Sequence, residues 1–467
     1  MKSFSIQKSD ISIDCRLEPS YYFYSVIIRE KCVDKGVSFE KLGQLCDCIS
    51  DGEHSAIPRI KEAGVRYLYG RNIKDGIVNF DPETDSSYIS ESDYKKFTRI
   101  YVKEGDVLIT IVGTVGKVAV YTEKYIGKAG IPRHIAKIRV KKDSWATPEY
   151  LLAYFLSRLG KHQIENITTG NIQPLLSLVN IKALDIPKID SKHIEEYTSS
   201  LQKTIDLETV ALDLIQQAKN KLYEALGIDF HCIERPNTYT LSYSEFKNFD
   251  IWNTSYSLPL YINTQKAIRD KWKTIPLGDL TRIIKGDEVG SDNYSVYLDK
   301  RNGDIPFIRT SDIVNYEVDQ YPDFYIPKEI YAELNQGIET GDILFTNDGK
   351  IGQVCMVTDM DKFILQSHIR ALRLNKKAIE DYHLTPEYLF TALSVREIGI
   401  YQAKKYTVIQ STIPTMAGNL PKVEIPILEK STIDEITVLI RKAFQLKAER
   451  KRIMAQVRDS IDSYFDI

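Results

Sequence analysis

Several short stretches carry residue types that do chemistry, and each fails on spacing. Gly113-Thr114-Val115-Gly116-Lys117 has the look of a phosphate-cradling loop, but such a loop needs four residues between its glycines and a hydroxyl after the lysine. Here two residues intervene and Val118 follows, so the stretch reads as a turn between strands. Pro322-Asp323 begins like a nuclease motif, yet no Glu-x-Lys follows on a matching strand. Cys46 and Cys48 form a Cys-x-Cys without a second pair at metal spacing, and the 7 histidines make no metal-spaced pair. Neither a Gly-x-Ser-x-Gly elbow nor the Asn/Asp-Pro-Pro-Tyr/Phe loop of amine methylation is present. His134 and His368 occupy matching places on alternating strands, where a structural histidine is the commoner case. The expectation is a chain with no catalytic site, no metal and no cofactor of its own.

Composition narrows the class without naming it. A chain of 467 residues with 43% hydrophobic side chains holds two or three domains with real cores. No run of about 18 apolar residues offers a membrane span. The start, MKSFSIQKSD, lacks the apolar centre of a signal peptide. With 6 cysteines in no frame, reduced thiols and a cytoplasmic location are expected. The formal charge of −2 means that nucleic-acid binding would need local basic surfaces or a basic partner.

The elements that would position any site come in duplicate. Gly105-Asp106-Val107-Leu108-Ile109-Thr110, then Gly113, Gly116 and Val118, recurs as Gly341-Asp342-Ile343-Leu344-Phe345-Thr346, then Gly349, Gly352 and Val354, an offset of 236 (341 − 105). His134-Ile135 returns as His368-Ile369, and Thr147-Pro148-Glu149-Tyr150-Leu151 is repeated unchanged from Thr385. Ser20-Tyr21 and Leu42-Gly43 are echoed by Ser255-Tyr256 and Leu277-Gly278. Val65 to Leu68 matches Ile305 to Ile308, and Asp185-Ile186-Pro187 matches Glu424-Ile425-Pro426. One fold is written twice. In each copy the Gly-Asp turn launches an apolar strand, and the threonine caps a helix whose first position is proline.

Each copy ends in a long helix free of proline and glycine. Leu207, Ala211, Leu214, Ala218 and Ala225, extended by Ile194, Tyr197, Leu201 and Leu222, mark one apolar face of residues 192–226. Residues 431–467 keep a near-heptad period through Ile433, Ile436, Ile440, Ala443, Leu446, Ile453, Met454, Val457, Ile461 and Tyr464. At about 1.5 Å per residue the first would span about 50 Å. The fold expected is mixed α/β: two repeated domains, 1–190 and 229–429, and two long antiparallel helices, 191–228 and 430–467, with pseudo-twofold symmetry.

This order of parts resembles the specificity subunits of Type I restriction-modification systems. The residues that carry the likeness are GDVLITIVGTVGKV and GDILFTNDGKIGQV, the two TPEYL helices, TTGNIQP with its counterpart QSTIP, and the Ile-Pro step before each helix. The frequent Glu-Gln after that step is replaced here by Glu195-Glu196 and Asp434-Glu435. The resemblance implies a DNA-binding, non-catalytic subunit whose two target recognition domains each read half of a split sequence. It also implies two partner modification subunits that use S-adenosylmethionine to methylate adenine, restriction subunits that translocate DNA with ATP, and no membrane. A rod of about 50 Å would hold the halves at most about 15 base pairs apart.

Base edges and phosphates are contacted by Arg, Lys, Asn, Gln, Ser and Thr on loops. In the first domain these are Arg59, Lys61, Arg66, Arg71, Asn72, Lys117, Thr169, Asn171 and Gln173. In the second they are Lys285, Arg301, Arg309, Ser311, Lys350, Gln353, Lys404, Lys405, Gln410 and Ser411. The basic run Arg441, Lys442, Lys447, Arg450, Lys451 and Arg452 would face DNA, solvent or a partner. Two other readings stay open at this point: a self-contained restriction or modification enzyme with a diverged motif, and a repeat adaptor that binds proteins.

Overall fold

A computed structural model describes residues 29–60, 64–80, 87–169, 174–236, 238–247, 249–287, 305–410 and 413–465. Contacts divide the chain into two compact units, and each long helix is shared between them. Unit 1 holds the described residues as far as Leu207 together with the chain from Arg450 onward, and unit 2 holds Glu208 to Glu449.

In unit 1 the central sheet has four antiparallel strands. They are β1 (Cys46–Asp51), β2 (Val107–Thr110), β3 (Val118–Val120) and β4 (Ile135–Val140), in the order β1-β4-β2-β3. β2 has no polar alternation because both its faces are covered. Val107 and Ile109 join a core with Tyr150, Leu151 and Tyr154 of helix α1 (Pro148–Leu156), while Leu108 joins a second core with Ala119 and Ile135. A three-stranded sheet sets Val65–Tyr67 between Tyr88–Ile89, antiparallel, and Ala129–Gly130, parallel.

Unit 2 repeats the same plan. Its strands β5 (Thr281–Lys285), β6 (Ile343–Thr346), β7 (Val354–Met356) and β8 (Ile369–Leu374) run in the order β5-β8-β6-β7. Ile305–Ile308 lies between Tyr325–Ile326, antiparallel, and Ile364–Leu365, parallel. Helix α3 (Pro386–Ser394) stands where α1 does. The duplication in sequence is therefore a duplication of topology.

The repeated TPEYL segment acts as a clasp. Thr147 Oγ1 caps α1 by accepting from the Tyr150 N–H at 3.0 Å, and the Tyr150 hydroxyl donates to the carbonyl of Pro187, the proline of the Ile-Pro step. Thr385 and Tyr388 do the same at 3.1 Å and, to Pro426, 2.6 Å.

The long helices are α2 (Ser191–Leu226, 36 residues) and α4 (Lys430–Tyr464, 35 residues). Within unit 1, His193 lies against Tyr464 with ring centroids 5.1 Å apart, and Tyr197 bonds Ser460 at 3.0 Å. Within unit 2, Glu208 meets Lys447 at 2.8 Å and Lys221 meets Glu435 at 2.5 Å. One number rises as the other falls, so in each unit the paired segments are antiparallel. The buried stripe of α2 is Ile194, Tyr197, Leu201, Thr204, Glu208, Ala211, Ile215, Ala218 and Leu222, in alternating steps of three and four. Leu207 and Leu214, placed on the apolar face by sequence, flank this seam and are only half-buried.

Candidate nucleic-acid interface

The glycine-rich repeats fold into turns that carry other loops. Gly105 and Gly341 take φ of +81° and +91°, which an L side chain resists. The aspartate after each is buried and closes its own turn: Asp106 Oδ2 accepts from the Lys103 N–H at 2.8 Å and Asp342 Oδ2 from the Glu339 N–H at 2.8 Å. The other side of each carboxylate takes a two-pronged arginine from the neighbouring strand. Arg139 reaches Asp106 at 2.7 and 2.7 Å, and Arg373 reaches Asp342 at 2.8 and 2.7 Å. The sequence reading did not single out either arginine.

Beyond the strand, the Gly113 N–H donates to the Pro174 carbonyl at 3.2 Å and the Gly349 N–H to Pro414 at 2.9 Å. These amides are spent on Pro174 and Pro414, so the GTVGK stretch is a turn and no phosphate cradle. That loop is a strand pair in unit 2, Val408–Gln410 with Ile413–Thr415.

A second repeated loop escaped the sequence comparison. Residues 69–79 and 309–319 share one backbone course, a 3₁₀ turn running into a tight hairpin. They also share one burial pattern, in which the residues at the start of the turn and the one at the hairpin tip, Gly76 or Tyr316, reach solvent. Asn72 and Asp312 are buried and accept from the N–H of residues 69 and 309 at 2.7 and 3.0 Å. The amide of residue 79 or 319 closes the loop onto the carbonyl of 72 or 312 at 2.7 Å in both. On this common frame the outward residues differ: Tyr69-Gly70-Arg71 in one unit, Arg309-Thr310-Ser311 in the other. The frame lies beside the glycine turn, for a Cβ on Gly70 would be 3.8 Å from Thr110 and one on Gly349 would be 3.8 Å from Thr310. Each unit thus gathers three segments: 69–72, 110–116 and the bridged pair Thr169 and Leu175 in the first, and 309–312, 346–352 and the strands Val408–Gln410 and Ile413–Thr415 in the second.

The candidate residues distribute unevenly over this surface. Arg59 lies on the Tyr67 ring at 3.9 Å and donates to the Tyr69 hydroxyl at 2.8 Å, while Arg71 is exposed with its guanidinium 4.9 Å from the Tyr69 ring. Thr169 is exposed and pairs with Leu175. Lys285, Ser311 and Lys404 are exposed, and Lys350 is half-buried in the glycine turn. Arg309 is held by Asp312 and Asp323 at 3.2 and 3.1 Å. Lys61, Asn171, Gln173, Arg301, Ser411 and the side chain of Gln410 lie outside the described residues.

Other assignments are corrected by burial. Asn72 is fully buried, its amide spent on the turn and on the Asn79 carbonyl. Gln353 is 5% exposed and donates to the Ile313 carbonyl. Lys405 is 8% exposed, and its ammonium donates to Gln265 at 2.6 Å. Arg66 turns inward to the carbonyls of Tyr125 and Ile126, and burial lowers its pKa. Lys117 faces the buried Asp75 at 3.6 Å, beside Lys161 at 2.7 Å. Burial alone would raise the Asp75 pKa, but these two ammonium groups outweigh it and the pKa is lowered. In α4, Lys447, Arg450 and Lys451 are buried, so half of the expected basic run is no external surface.

Burial and then Arg133 lower the His134 pKa, while His368 is tied to Asp348 at 3.2 Å. Among the described residues no group of three or more His, Cys, Asp or Glu could hold a metal, and none of the five described cysteines is in a disulfide. Among them, too, no helix is long and apolar enough to cross a membrane.

Two stretches of the chain, residues 34–217 and 269–448, match the family described as the Type I restriction modification DNA specificity domain. No curated protein sequence matches. Solved structures similar to this chain include a Type I restriction-modification S subunit from M. genitalium, at 13% identity over 92% of this chain and 96% of that one with a TM-score of 0.34. The HsdS subunit from Thermoanaerobacter tengcongensis is 15% identical over the same shares, with a TM-score of 0.27. A structure from work on assembly and conformational transition of the type I R-M system is 13% identical over 92% and 96%, with a TM-score of 0.26.

Proposed function

The chain belongs to the Type I restriction modification DNA specificity domain family, which it contains twice, and from that premise we propose that it is the DNA-reading subunit of such a complex. Each domain takes one half of a two-part target on the three segments gathered above. The observation that carries this reading is a frame kept constant while its outward residues change: Tyr-Gly-Arg at 69–71 against Arg-Thr-Ser at 309–311. Two equal scaffolds with unequal tips read two unequal half-sites. Linking two short readouts on one chain raises the effective concentration of the second once the first is bound.

The methyl transfer and cleavage belong to partners. Two modification subunits supply S-adenosylmethionine and act on adenine, restriction subunits supply ATP-driven translocation and cutting, and the long helices set the distance between the half-sites and dock the modification subunits. The whole assembly works in the cytoplasm. Sequencing methylated adenines in cells that carry this chain with its modification partner tests the reading. The expected result is a split, asymmetric motif that disappears when this chain is omitted. Methylation by the purified chain alone, or a motif in one piece, would overturn it.

A further inference from the structure

We infer that Arg309 is the side chain through which the second domain reads a guanine in its half-site. The inference rests on the DNA-specificity reading above and takes it down to one residue and one base.

Arg309 opens the outward face of the 309–319 loop, and its orientation is fixed from three sides. Its Nε lies 3.2 Å from Asp312 Oδ2, its Nη2 lies 3.1 Å from Asp323 Oδ2, and the guanidinium carbon stands 4.2 Å from the centre of the Phe324 ring. Asp312 is itself fully buried and holds the backbone N–H of Arg309 at 3.0 Å, so the fork and its support move as one body. Nη1 has no partner among the described residues, and the side chain is 25% exposed. With Nε and one N–H of Nη2 so engaged, Nη1 and the other N–H of Nη2 remain, a pair of donors on adjacent nitrogens that matches O6 and N7 of guanine in the major groove.

Two features separate this arginine from other arginines of the two domains. Arg139 and Arg373 clamp the buried carboxylates of Asp106 and Asp342, and Arg66 is used by backbone carbonyls. Arg309 alone of these four begins a reading loop. The two carboxylates that hold it also cancel its charge, which disfavours a phosphate and leaves a neutral base edge as the natural acceptor. The equivalent place in the first domain is Tyr69, whose hydroxyl accepts from Arg59, so the two domains present different chemistry at one position of one frame.

The test uses the complete complex and reads the methylated motif for the wild type, Arg309→Ala and Arg309→Lys. The lysine keeps a cation beside Asp312, and hence the turn, but offers no fork. Both variants are expected to relax one G·C position of one half-site by roughly ten- to hundredfold, with the other half-site untouched. If the alanine variant fails to fold, the lysine variant decides. An unchanged motif in the lysine variant, or a wild-type motif with no G·C pair in either half, would overturn the inference. A wild-type complex that methylates no two-part motif would instead defeat the specificity reading beneath it.

Discussion

Lys447→Met should be among the most damaging single changes available in unit 2. The Lys447 ammonium lies 2.8 and 2.9 Å from the two oxygens of Glu208, with side chains 0% and 2% exposed. Asn315 of the reading-loop hairpin adds its amide to the same carboxylate at 3.2 Å. Methionine fills nearly the same volume, so the cavity term is small and the cost is that of leaving a buried carboxylate without the ammonium that faces both its oxygens. Removing one partner of a buried pair costs about 3–5 kcal/mol, against at most about 1 kcal/mol for a surface pair. The assay is urea denaturation followed by hydrogen exchange on residues 208–226 and 430–446, which isolates unit 2 in a chain too large for one two-state transition. A second variant, Glu208→Leu with Lys447→Met, removes both charges and should recover most of the loss. A single-variant cost below about 1 kcal/mol, or a double variant no better than the single, would refute the claim that desolvated charge dominates here.

Three further outcomes follow from the same geometry. Arg139→Ala and Arg373→Ala should each cost their own unit about 3 kcal/mol by stranding Asp106 or Asp342, measured by limited proteolysis in urea, with Arg373→Ala at least as costly because Arg373 also holds Glu339 and the Gly337 carbonyl at 2.7 Å. The Asp75 pKa is lowered in the folded state because Lys161 and Lys117 outweigh its burial; the stability it adds is present above its unfolded value and lost as pH falls through the folded one, so Asp75→Asn should flatten the acid limb of unit 1 stability below about pH 4. Lys404→Glu should weaken binding of the complex to all DNA alike and reduce the slope of log affinity against log salt by about 1, read by titration at several salt concentrations, whereas Lys405→Glu buries a charge and should lower the melting temperature instead.

The parts legible in the sequence are those where the same residue does the same job twice. Gly105 and Gly341 need positive φ, Thr147 and Thr385 cap, and Tyr150 and Tyr388 reach a proline carbonyl. A positive φ favours glycine and the reach to the proline carbonyl needs a tyrosine hydroxyl, so identity survives there between the copies, and the threonine is kept although serine, aspartate or asparagine could also cap. The 69–79 loop was not legible because its frame tolerates exchange: Asn72 and Asp312 differ, yet amide and carboxylate oxygen alike accept the backbone N–H of residue 69 or 309, and Asp75 and Asn79 stand where Asn315 and Asp319 do. Its signal is an Asn or Asp at steps of three and four, which a search for identity passes over. Arg139 and Arg373 were missed because they stand on the outer half of apolar strands, where hydrophobic alternation says nothing about them.

The misreading of the basic run has a sharper cause, and it bears on how the helices find each other. One line of buried positions on α4 runs Ile433, Ile436, Ile440, Ala443, Lys447, Arg450, Met454, Val457 and Ile461, in strict alternation of three and four, with Thr437, Phe444, Ala448, Lys451 and Asp462 buried beside it. Lys447 and Arg450 therefore sit in the seam of the heptad, where counting charges without phase assigns them to the surface. The seam of α2 is interrupted at Thr204 and Glu208 in the same way. A heptad stripe of small and aliphatic residues alone would pair almost as well after sliding one repeat, since Ala211 and Ala218 are interchangeable in shape. A single buried polar pair removes that degeneracy, because every slipped register strands Glu208 or Lys447 in an apolar layer. Since Asn315 is bonded to that same carboxylate, the contact that selects the helix register is also the one that seats the hairpin behind Arg309.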